Sequence, residues 1–146
     1  LTIKKCLSLQ EIPIYGDGLQ IRDWLHVYDH CSAIELILQS GKPGEVYNIG
    51  GRNEQKNIEV VNTICDILDE LAPNASISSY KVLISFVKDR LGHDQRYAIN
   101  SEKISKELGW RPINTFEAGI RKTVVWYLDN SKWMDVIPHI NKSTEN

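Results

Sequence analysis

The residues of this sequence best suited to chemistry are arginines beside glycine turns, and the chemistry they suit is anion binding. Arg22 lies four residues after Asp17-Gly18, among apolar neighbours. A guanidinium in such surroundings needs an anionic partner, and the adjacent Asp23 would point to the opposite face of a strand. Arg90 precedes Gly92-His93 in a second loop. Because the planar guanidinium matches phosphate geometry, two arginines from separate loops would suit a diphosphate.

Each of these candidates also has a plainer interpretation. Arg22 could pair with a core carboxylate, and Arg90 could be a solvated loop residue. His93 stands beside Asp94, which suggests an oriented imidazole, although such neighbours are common in loops. Tyr15 could stack on a base or simply pack within a sheet. The residues alone leave these alternatives open.

The elements that would position these residues alternate between helices and short strands. Asp17-Gly18 between two β-prone runs predicts a hairpin over residues 13–27. A helix is expected to follow Asp29 and to end at Gly41, and Asn57 is expected to cap a second helix. The remaining predicted elements are the end of a helix in residues 1–10, strands over 45–49 and 82–87, a short helix up to Gly109, and a last helix from Thr115 to about Leu128. The pattern indicates an α/β or α+β fold.

Composition restricts the class of protein. The 146 residues suffice for one domain, and a net charge of −2 argues against nucleic acid as a partner. Three widely spaced cysteines without a Cys-x-x-Cys pair favour a reducing, cytoplasmic compartment. No apolar run reaches membrane-spanning length, so no membrane partner is expected. The sequence does not begin with methionine and starts within an amphipathic pattern, which suggests that an upstream part is missing.

Signatures of catalysis are missing from the sequence. It contains no glycine-rich dinucleotide fingerprint after a strand, no Tyr-x-x-x-Lys, and no recognisable Ser-His-Asp or Cys-His arrangement. His26 and His30 are four residues apart, but no third ligand stands out, so no metal site is predicted. The residues therefore indicate a ligand-binding module without visible catalytic machinery.

Several segments together resemble a known family. They are Pro13–Trp24, Val27 with Asp29-His30, Tyr47–Gly51, Asn53-Glu54 with Lys56-Asn57, Asp89-Arg90, Gly92–Asp94, Arg96-Tyr97 and Leu108–Pro112. In order and spacing they are similar to the C-terminal half of the dTDP-glucose 4,6-dehydratases, a branch of the extended short-chain dehydrogenase/reductase family. The similarity runs from about residue 1 to Trp133. One departure is Leu91, which stands where the family usually has proline.

The resemblance implies a fold and a role. The fold would be α/β with mixed α+β character, namely the nucleotide-sugar-binding portion of an extended member of the family, without the N-terminal Rossmann NAD-binding core. The substrate would be a dTDP-sugar held by Tyr15, Arg22, Asn57, Arg90 and His93. NAD and all catalytic residues would belong to the missing half, so this chain would have no catalytic, cofactor-binding or metal residue of its own. The full-length enzyme is expected to be a cytoplasmic homodimer that contributes to rhamnose and cell-surface polysaccharide biosynthesis.

The same resemblance sets further expectations. Residues 1–133 would form the substrate-binding portion and 134–146 a polar tail. Elements near residues 22–40 would pack against the nucleotide-binding domain in the full-length enzyme, so this chain is expected to expose apolar surface and to associate. Two alternatives stay open: a nucleotide-sugar epimerase or decarboxylase of the same family, and a non-catalytic binding module.

Overall fold

The computed structural model describes residues 1–136 of the chain. It contains six helices and four strands among these residues, together with one turn of 3₁₀-helix at Tyr80–Leu83. In chain order they are α1 (Thr2–Leu7), β1 (Ile12–Tyr15), β2 (Ile21–Asp23), α2 (Val27–Ser40), β3 (Glu54–Lys56), α3 (Asn57–Leu71), β4 (Ile84–Val87), α4 (Glu102–Leu108), α5 (Phe116–Asp129) and α6 (Ser131–Val136). The predicted mixture of short strands and helices is confirmed.

The hairpin prediction for residues 13–27 was wrong, because β1 and β2 have different partners. β1 pairs in parallel with β4, whereas β2 pairs antiparallel with β3. Gly16 and Gly18 both adopt positive φ, and the amide of Gly18 donates to the carbonyl of Tyr15 over 3.2 Å. The Asp-Gly turn therefore forms as the glycines allow, but it sends its two strands into separate sheets.

The larger hydrophobic core, called here the α3 cluster, is built around the apolar face of α3. Helices α1 and α5 and strand β1 cover this face. The inward residues predicted for α5 agree with this arrangement, since Val124 is fully buried and Phe116 almost so. The buried members of the cluster are Ile3, Cys6, Ile12, Ile14, Val60, Val61, Ile64, Cys65, Ile67, Leu68, Tyr80, Phe116 and Val124.

A smaller core, called here the α2 cluster, lies between α2 and α4. Its buried members are Ala33, Ile104 and Trp110, with Leu25, Leu36, Ile37, Tyr47, Ile49 and Leu108 packed around them. Asp29, in the first turn of α2, is buried and ties this region to the segment before α5. Its carboxylate accepts hydrogen bonds from the backbone amides of Ile113 and Asn114 and from the Asn114 side chain.

The predicted strand over residues 45–49 was also wrong, although the segment keeps the alternation of a strand. Tyr47 and Ile49 pack on the α2 cluster, while Val46 is 76% exposed. No strand among the described residues lies beside this segment, so it has no backbone ladder. A strand is defined by its pairing, which the sequence pattern of one segment does not supply.

One face of α2 is apolar and uncovered within the described residues. Val27, Cys31, Ile34 and Leu38 recur at helical spacing and are all exposed, Leu38 to 82%. These four residues are called the α2 stripe. Their exposure confirms the expectation of apolar surface near residues 22–40.

Several element boundaries differ from the prediction by small amounts. Lys56 rather than Asn57 occupies the N-cap of α3, and Asn57 is its first residue. The predicted strand over 82–87 begins as the 3₁₀ turn and is half-buried rather than largely buried, with Phe86 60% exposed. The proposed limit between residues 133 and 134 falls inside α6. The rest of the predicted tail, residues 137–146, lies outside the described residues.

Within residues 1–136, no helix is both long enough and apolar enough to cross a membrane.

Candidate functional site

Strand β2 carries Arg22 and is held on both edges. On one edge Arg22 pairs with Gln55 of β3. On the other edge the backbone of Ile21 exchanges two hydrogen bonds with the loop that follows β4, at Gln95 (2.7 Å) and Tyr97 (3.0 Å). Residues 89–97 are called the site loop. The strand and the site loop therefore form one rigid support for the Arg22 side chain.

The contacts of the Arg22 guanidinium are neutral. One terminal nitrogen donates to the carbonyl of Ile21 over 2.7 Å, and the other donates to the carbonyl of Asp94 over 3.0 Å. The group also lies over the ring of Tyr97, 4.9 Å from its centroid, a cation–π distance. No carboxylate pairs with it among the described residues. Arg22 is thus oriented without having its charge neutralised.

Two other arginines, unlike Arg22, form ion pairs with carboxylates. Arg96 forms a bidentate pair with Glu54 at 2.6 and 2.7 Å, and Arg121 forms one with Glu70 at 2.8 and 2.5 Å. The carboxylate partner raises the pKa of each of these guanidinium groups. These two arginines link elements of the fold, whereas no carboxylate among the described residues balances the charge of Arg22.

Asp23 turns away from Arg22, as the alternation of a strand predicts. Its carboxylate accepts hydrogen bonds from the backbone amides of Gly51 and Asn53, both at 2.8 Å. A Cβ atom at Gly51 would collide with the carbonyl of Trp24, and one at Gly50 would come within 2.8 Å of Asp23 Oδ2. The two glycines therefore allow this close approach, and Asp23 is fully engaged in it.

His93 is held by a carboxylate, but not by the neighbour that the sequence suggested. Its Nδ1 lies 2.7 Å from Oδ1 of Asp89, four residues earlier, whereas Asp94 accepts a 2.6 Å hydrogen bond from the hydroxyl of Tyr97. The prediction of an oriented imidazole is confirmed and the assignment to Asp94 was wrong. The reason is the fold of the site loop, which turns His93 back towards the end of β4. Only 5% of the His93 side chain is exposed.

The positive charges of Arg22 and Arg90 both lower the pKa of the Tyr97 phenol. The hydrogen bond to Asp94, the charge of that carboxylate and partial desolvation raise the pKa of the Tyr97 phenol, and the positive charges of Arg22 and Arg90 partly oppose this rise. Arg90 itself is exposed, and it makes no ion pair within the described residues. Two guanidinium groups of this region therefore have no carboxylate partner among the described residues: Arg22, which lies over the Tyr97 ring, and Arg90 in the site loop.

Tyr15 and Asn57 lie at the Asp-Gly turn. Tyr15 ends β1, is half-exposed, and accepts the turn hydrogen bond through its carbonyl. The backbone amide of Asn57 donates to the carbonyl of Gln20 over 3.0 Å. All five predicted residues therefore belong to the Asp-Gly turn, β2, the site loop and the start of α3, which contact one another.

The sequence did not identify three residues that form contacts within the candidate site. Asp89 anchors His93, Tyr97 stacks under Arg22, and Gln20 is buried between the turn and the site loop. The sequence positions of Asp89 and Tyr97 carry no local signal, because each contacts a residue that is close only after folding. A weak indication for Gln20 was an amide between apolar residues just before the strand.

A cavity among the described residues is separate from these groups. It has a volume of about 560 Å³, lies between the start of α2 and α5, and is lined mainly by aromatic and apolar side chains such as Trp24, Phe116 and Trp126. None of the five predicted residues lines it. The candidate site is therefore the open surface around Arg22 and the site loop.

Comparison with known proteins defines the class of protein. The family model described as GDP-mannose 4,6 dehydratase matches residues 2–123. The chain belongs to this family.

Within the class, similar proteins include several dTDP-glucose 4,6-dehydratases. The chain is 58% identical to dTDP-glucose 4,6-dehydratase 1 of Escherichia coli K12 and 57% identical to the dTDP-glucose 4,6-dehydratase of Salmonella typhimurium LT2, each over 135 residues. Both alignments cover 92% of this chain and 37% of the relative. The chain thus spans little more than a third of the length of the curated relatives it matches.

A solved structure has the same fold over the matching region. The crystal structure of dTDP-glucose 4,6-dehydratase from Bacillus anthracis in complex with NAD superposes with a TM-score of 0.74 and is 48% identical. The match covers 90% of this chain and 39% of that one. The expected fold, a portion of an extended short-chain dehydrogenase/reductase, is confirmed.

Proposed function

We propose that this chain is the C-terminal, substrate-binding portion of an NAD-dependent dTDP-glucose 4,6-dehydratase, a lyase. The complete enzyme would convert dTDP-glucose to dTDP-4-keto-6-deoxyglucose and water. The identity of 57–58% to dehydratases of this name supports the proposal. The observation that carries it is the state of Arg22, which is oriented by carbonyls and by Tyr97 but has no carboxylate among the described residues.

In this proposal each of the five residues contacts a particular part of the nucleotide. Arg22 and Arg90 bind the diphosphate, because two uncompensated guanidinium groups provide the charge and the paired donors that phosphate oxygens accept. The ring of His93 adds a further polar contact, and Tyr15 and Asn57 contact the nucleoside from the turn and from the start of α3. The arrangement grips a substrate and contains no group assigned to proton transfer.

NAD does not fit the residues present. Binding a dinucleotide requires a glycine-rich turn between a strand and a helix, and no such sequence occurs in the chain. The oxidation and return of hydride that NAD supplies would belong to the remainder of the enzyme. The isolated chain should therefore release no 4-keto-6-deoxy sugar from dTDP-glucose and NAD.

We further propose that the complete enzyme is a cytoplasmic homodimer and contributes to dTDP-rhamnose and cell-surface polysaccharide biosynthesis. Free cysteines at positions 6, 31 and 65 fit a reducing compartment. Sedimentation of the complete enzyme would determine the assembly state, and a monomer would contradict the homodimer.

The test is calorimetric titration of the 146-residue chain with dTDP. Replacing Arg22 or Arg90 by alanine removes charged hydrogen bonds to phosphate, so each variant should bind about 10- to 100-fold more weakly. Arg111→Ala is the matched control, since it removes one exposed arginine from the turn after α4. Competition with UDP in the same titration measures the preference for the thymine nucleotide.

Three results would contradict the proposal. Equal dTDP affinity in the wild type and in both arginine variants would exclude the diphosphate role. Tighter binding of UDP than of dTDP would favour an epimerase or decarboxylase of the same family. Formation of the 4-keto-6-deoxy sugar by the chain alone would show that catalytic residues are present in it.

A further inference from the structure

A buried amide lies behind the candidate site. Gln20 immediately precedes β2, and only 6% of the residue is exposed. Burying an amide is costly unless it forms hydrogen bonds. Its Nε2 donates to the carbonyl of Tyr15 and to Oδ2 of Asp89, both over 3.3 Å. Gln20 therefore joins the Asp-Gly turn to the site loop through one nitrogen.

Asp89 is the point at which these contacts meet. Its carboxylate also faces His93 Nδ1 at 2.7 Å and accepts from the backbone amide of Arg90 over 2.9 Å. The hydrogen bond from His93 and the bond from Arg90 hold the pKa of the Asp89 carboxyl below its usual value, and Gln20 adds to this effect. Asp89 is consequently ionised and can only accept hydrogen bonds.

An ionised Asp89 fixes the state of the imidazole. Because the carboxylate offers no proton, the hydrogen of this contact must lie on Nδ1 of His93. Nε2 then carries no hydrogen and can only accept. Any movement of Asp89 would release the ring from this orientation.

Asp89 is closely approached on one side by its neighbours, although 39% of its side chain is exposed on the other. Gly16 has φ +60°, and a Cβ atom there would lie 2.9 Å from Asp89 Oδ2. Gln20 approaches the same oxygen with its donor nitrogen. The other atom of the amide, Oε1, is buried and has no hydrogen-bond partner within the described residues. Turning the amide over would place that oxygen against two acceptors, so the donor orientation is the favourable one.

We propose that Gln20 is a positioning residue of the nucleotide-sugar site, which holds Asp89 and thereby fixes the Nδ1–H tautomer of His93. Its backbone carbonyl also accepts from Asn57, so one residue contacts Tyr15 and Asn57 directly and reaches His93 through Asp89. The proposal rests on the proposed function only for the identity of the ligand. The Gln20–Asp89–His93 linkage itself is a property of the chain alone.

The experiment compares Gln20→Met with the wild-type chain by ¹⁵N NMR of the histidine rings and by titration with dTDP. Methionine keeps the length of the side chain and removes the donor. We expect the wild type to show one His93 tautomer, with hydrogen on Nδ1, and the variant to show a mixture. The dTDP affinity of the variant should fall by about tenfold, the effect of disturbing one hydrogen bond.

Gln10→Met is the matched control, because this exposed glutamine between α1 and β1 has no side-chain hydrogen bond within the described residues and lies outside the candidate site. It should change neither the ring signals nor the affinity. Asp89→Asn tests the same linkage at an exposed position, in case Gln20→Met does not fold. An asparagine side chain can turn its NH₂ group towards the ring, so this variant should favour the other tautomer.

Unchanged His93 signals in folded Gln20→Met, or in Asp89→Asn, would overturn the inference. Failure of the proposed function would look different: the wild type would not bind dTDP, while the His93 tautomer would still respond to both variants. A purely structural role of Gln20 would lower stability without moving the ring signals.

Discussion

The α3 cluster and the α2 cluster differ in how completely the described residues cover them. Around α3, helices and strands close over the apolar face, and Leu68 is fully buried. Around α2, one face packs on Trp110 while the α2 stripe faces outwards, with Leu38 82% exposed. The candidate site lies on elements that are tied to the α3 cluster. The candidate site and the uncovered apolar surface therefore belong to different regions of the chain.

The largest expected effect tests whether the α3 cluster stabilises the fold. Leu68→Ala leaves a cavity in a fully buried site and should lower the free energy of unfolding by about 2–5 kcal/mol. Leu108→Ala, in the half-buried border of the α2 cluster, should cost on the order of 1 kcal/mol, since less surface leaves water there. Urea denaturation measures both values. Equal losses would show that the two clusters contribute alike.

The second prediction concerns the α2 stripe. The double variant Ile34→Lys, Leu38→Lys should weaken self-association by about tenfold or more, because each contact that buries one of these side chains would then bury a charge. Sedimentation velocity across a concentration series measures the change. Val82→Lys, a similarly exposed apolar position in the 3₁₀ turn, is the control.

Either of two results would contradict this prediction about the α2 stripe. The wild-type chain could sediment as a monomer at every concentration. Alternatively, Val82→Lys could reduce association as much as the double variant does, which would show that general surface hydrophobicity is responsible.

The smallest expected effect is the response to acid. Salt bridges with Lys103, Arg96, Arg121 and Lys106 lower the pKa values of Glu45, Glu54, Glu70 and Glu102, and the hydrogen bond from His93 lowers that of Asp89. The unfolded-state pKa is 4.5 for glutamate and 3.8 for aspartate. Because the folded-state pKa of each of these carboxyl groups is lower, their ionised forms stabilise the fold at pH values above this range. Stability should therefore be constant from pH 8 to 6 and decline as the pH falls below about 4.5.

Urea denaturation between pH 8 and 3 measures this decline. Glu70→Gln removes the link between α3 and α5 and should make the decline shallower. Glu45→Gln does the same in the region of the α2 cluster, so the pair compares the two regions. Glu117→Gln, at an exposed position without an ion pair in residues 1–136, should behave like the wild type. A stability that rises on acidification would contradict the assignment.

Helices α1 to α5, but not α6, could be predicted from the sequence, because helix ends such as those of α4 and α5 depend on local chemistry. Thr115 accepts a hydrogen bond from the amide of Ala118, and Gly109 adopts the left-handed conformation that ends α4. A side chain or a glycine at one position decides each of these ends. The same local chemistry placed the turn at Asp17-Gly18.

The strand pairings could not be predicted in this way. Nothing near Ile14 indicates that its partner is Phe86, and nothing near residues 45–49 indicates that no described strand lies beside them. In the candidate site the same limit appears at His93. The adjacent Asp94 was the obvious partner, but a turn of the site loop brings Asp89 instead. Arg22 could be singled out because its charge conflicts with its apolar neighbours, which is visible in the sequence.

The hydrogen bonds that assemble the site connect distant parts of the chain. Gln20 and Asp89 are 69 positions apart, and Arg22 and Asp94 are 72 apart. Closing loops of this length costs conformational entropy, and single hydrogen bonds are too weak to offset it alone. The packed elements between these positions must therefore form as well. A peptide spanning Tyr15–Trp24 would contain the turn and Arg22. It would lack the Asp94 carbonyl and the Tyr97 ring, which orient the arginine.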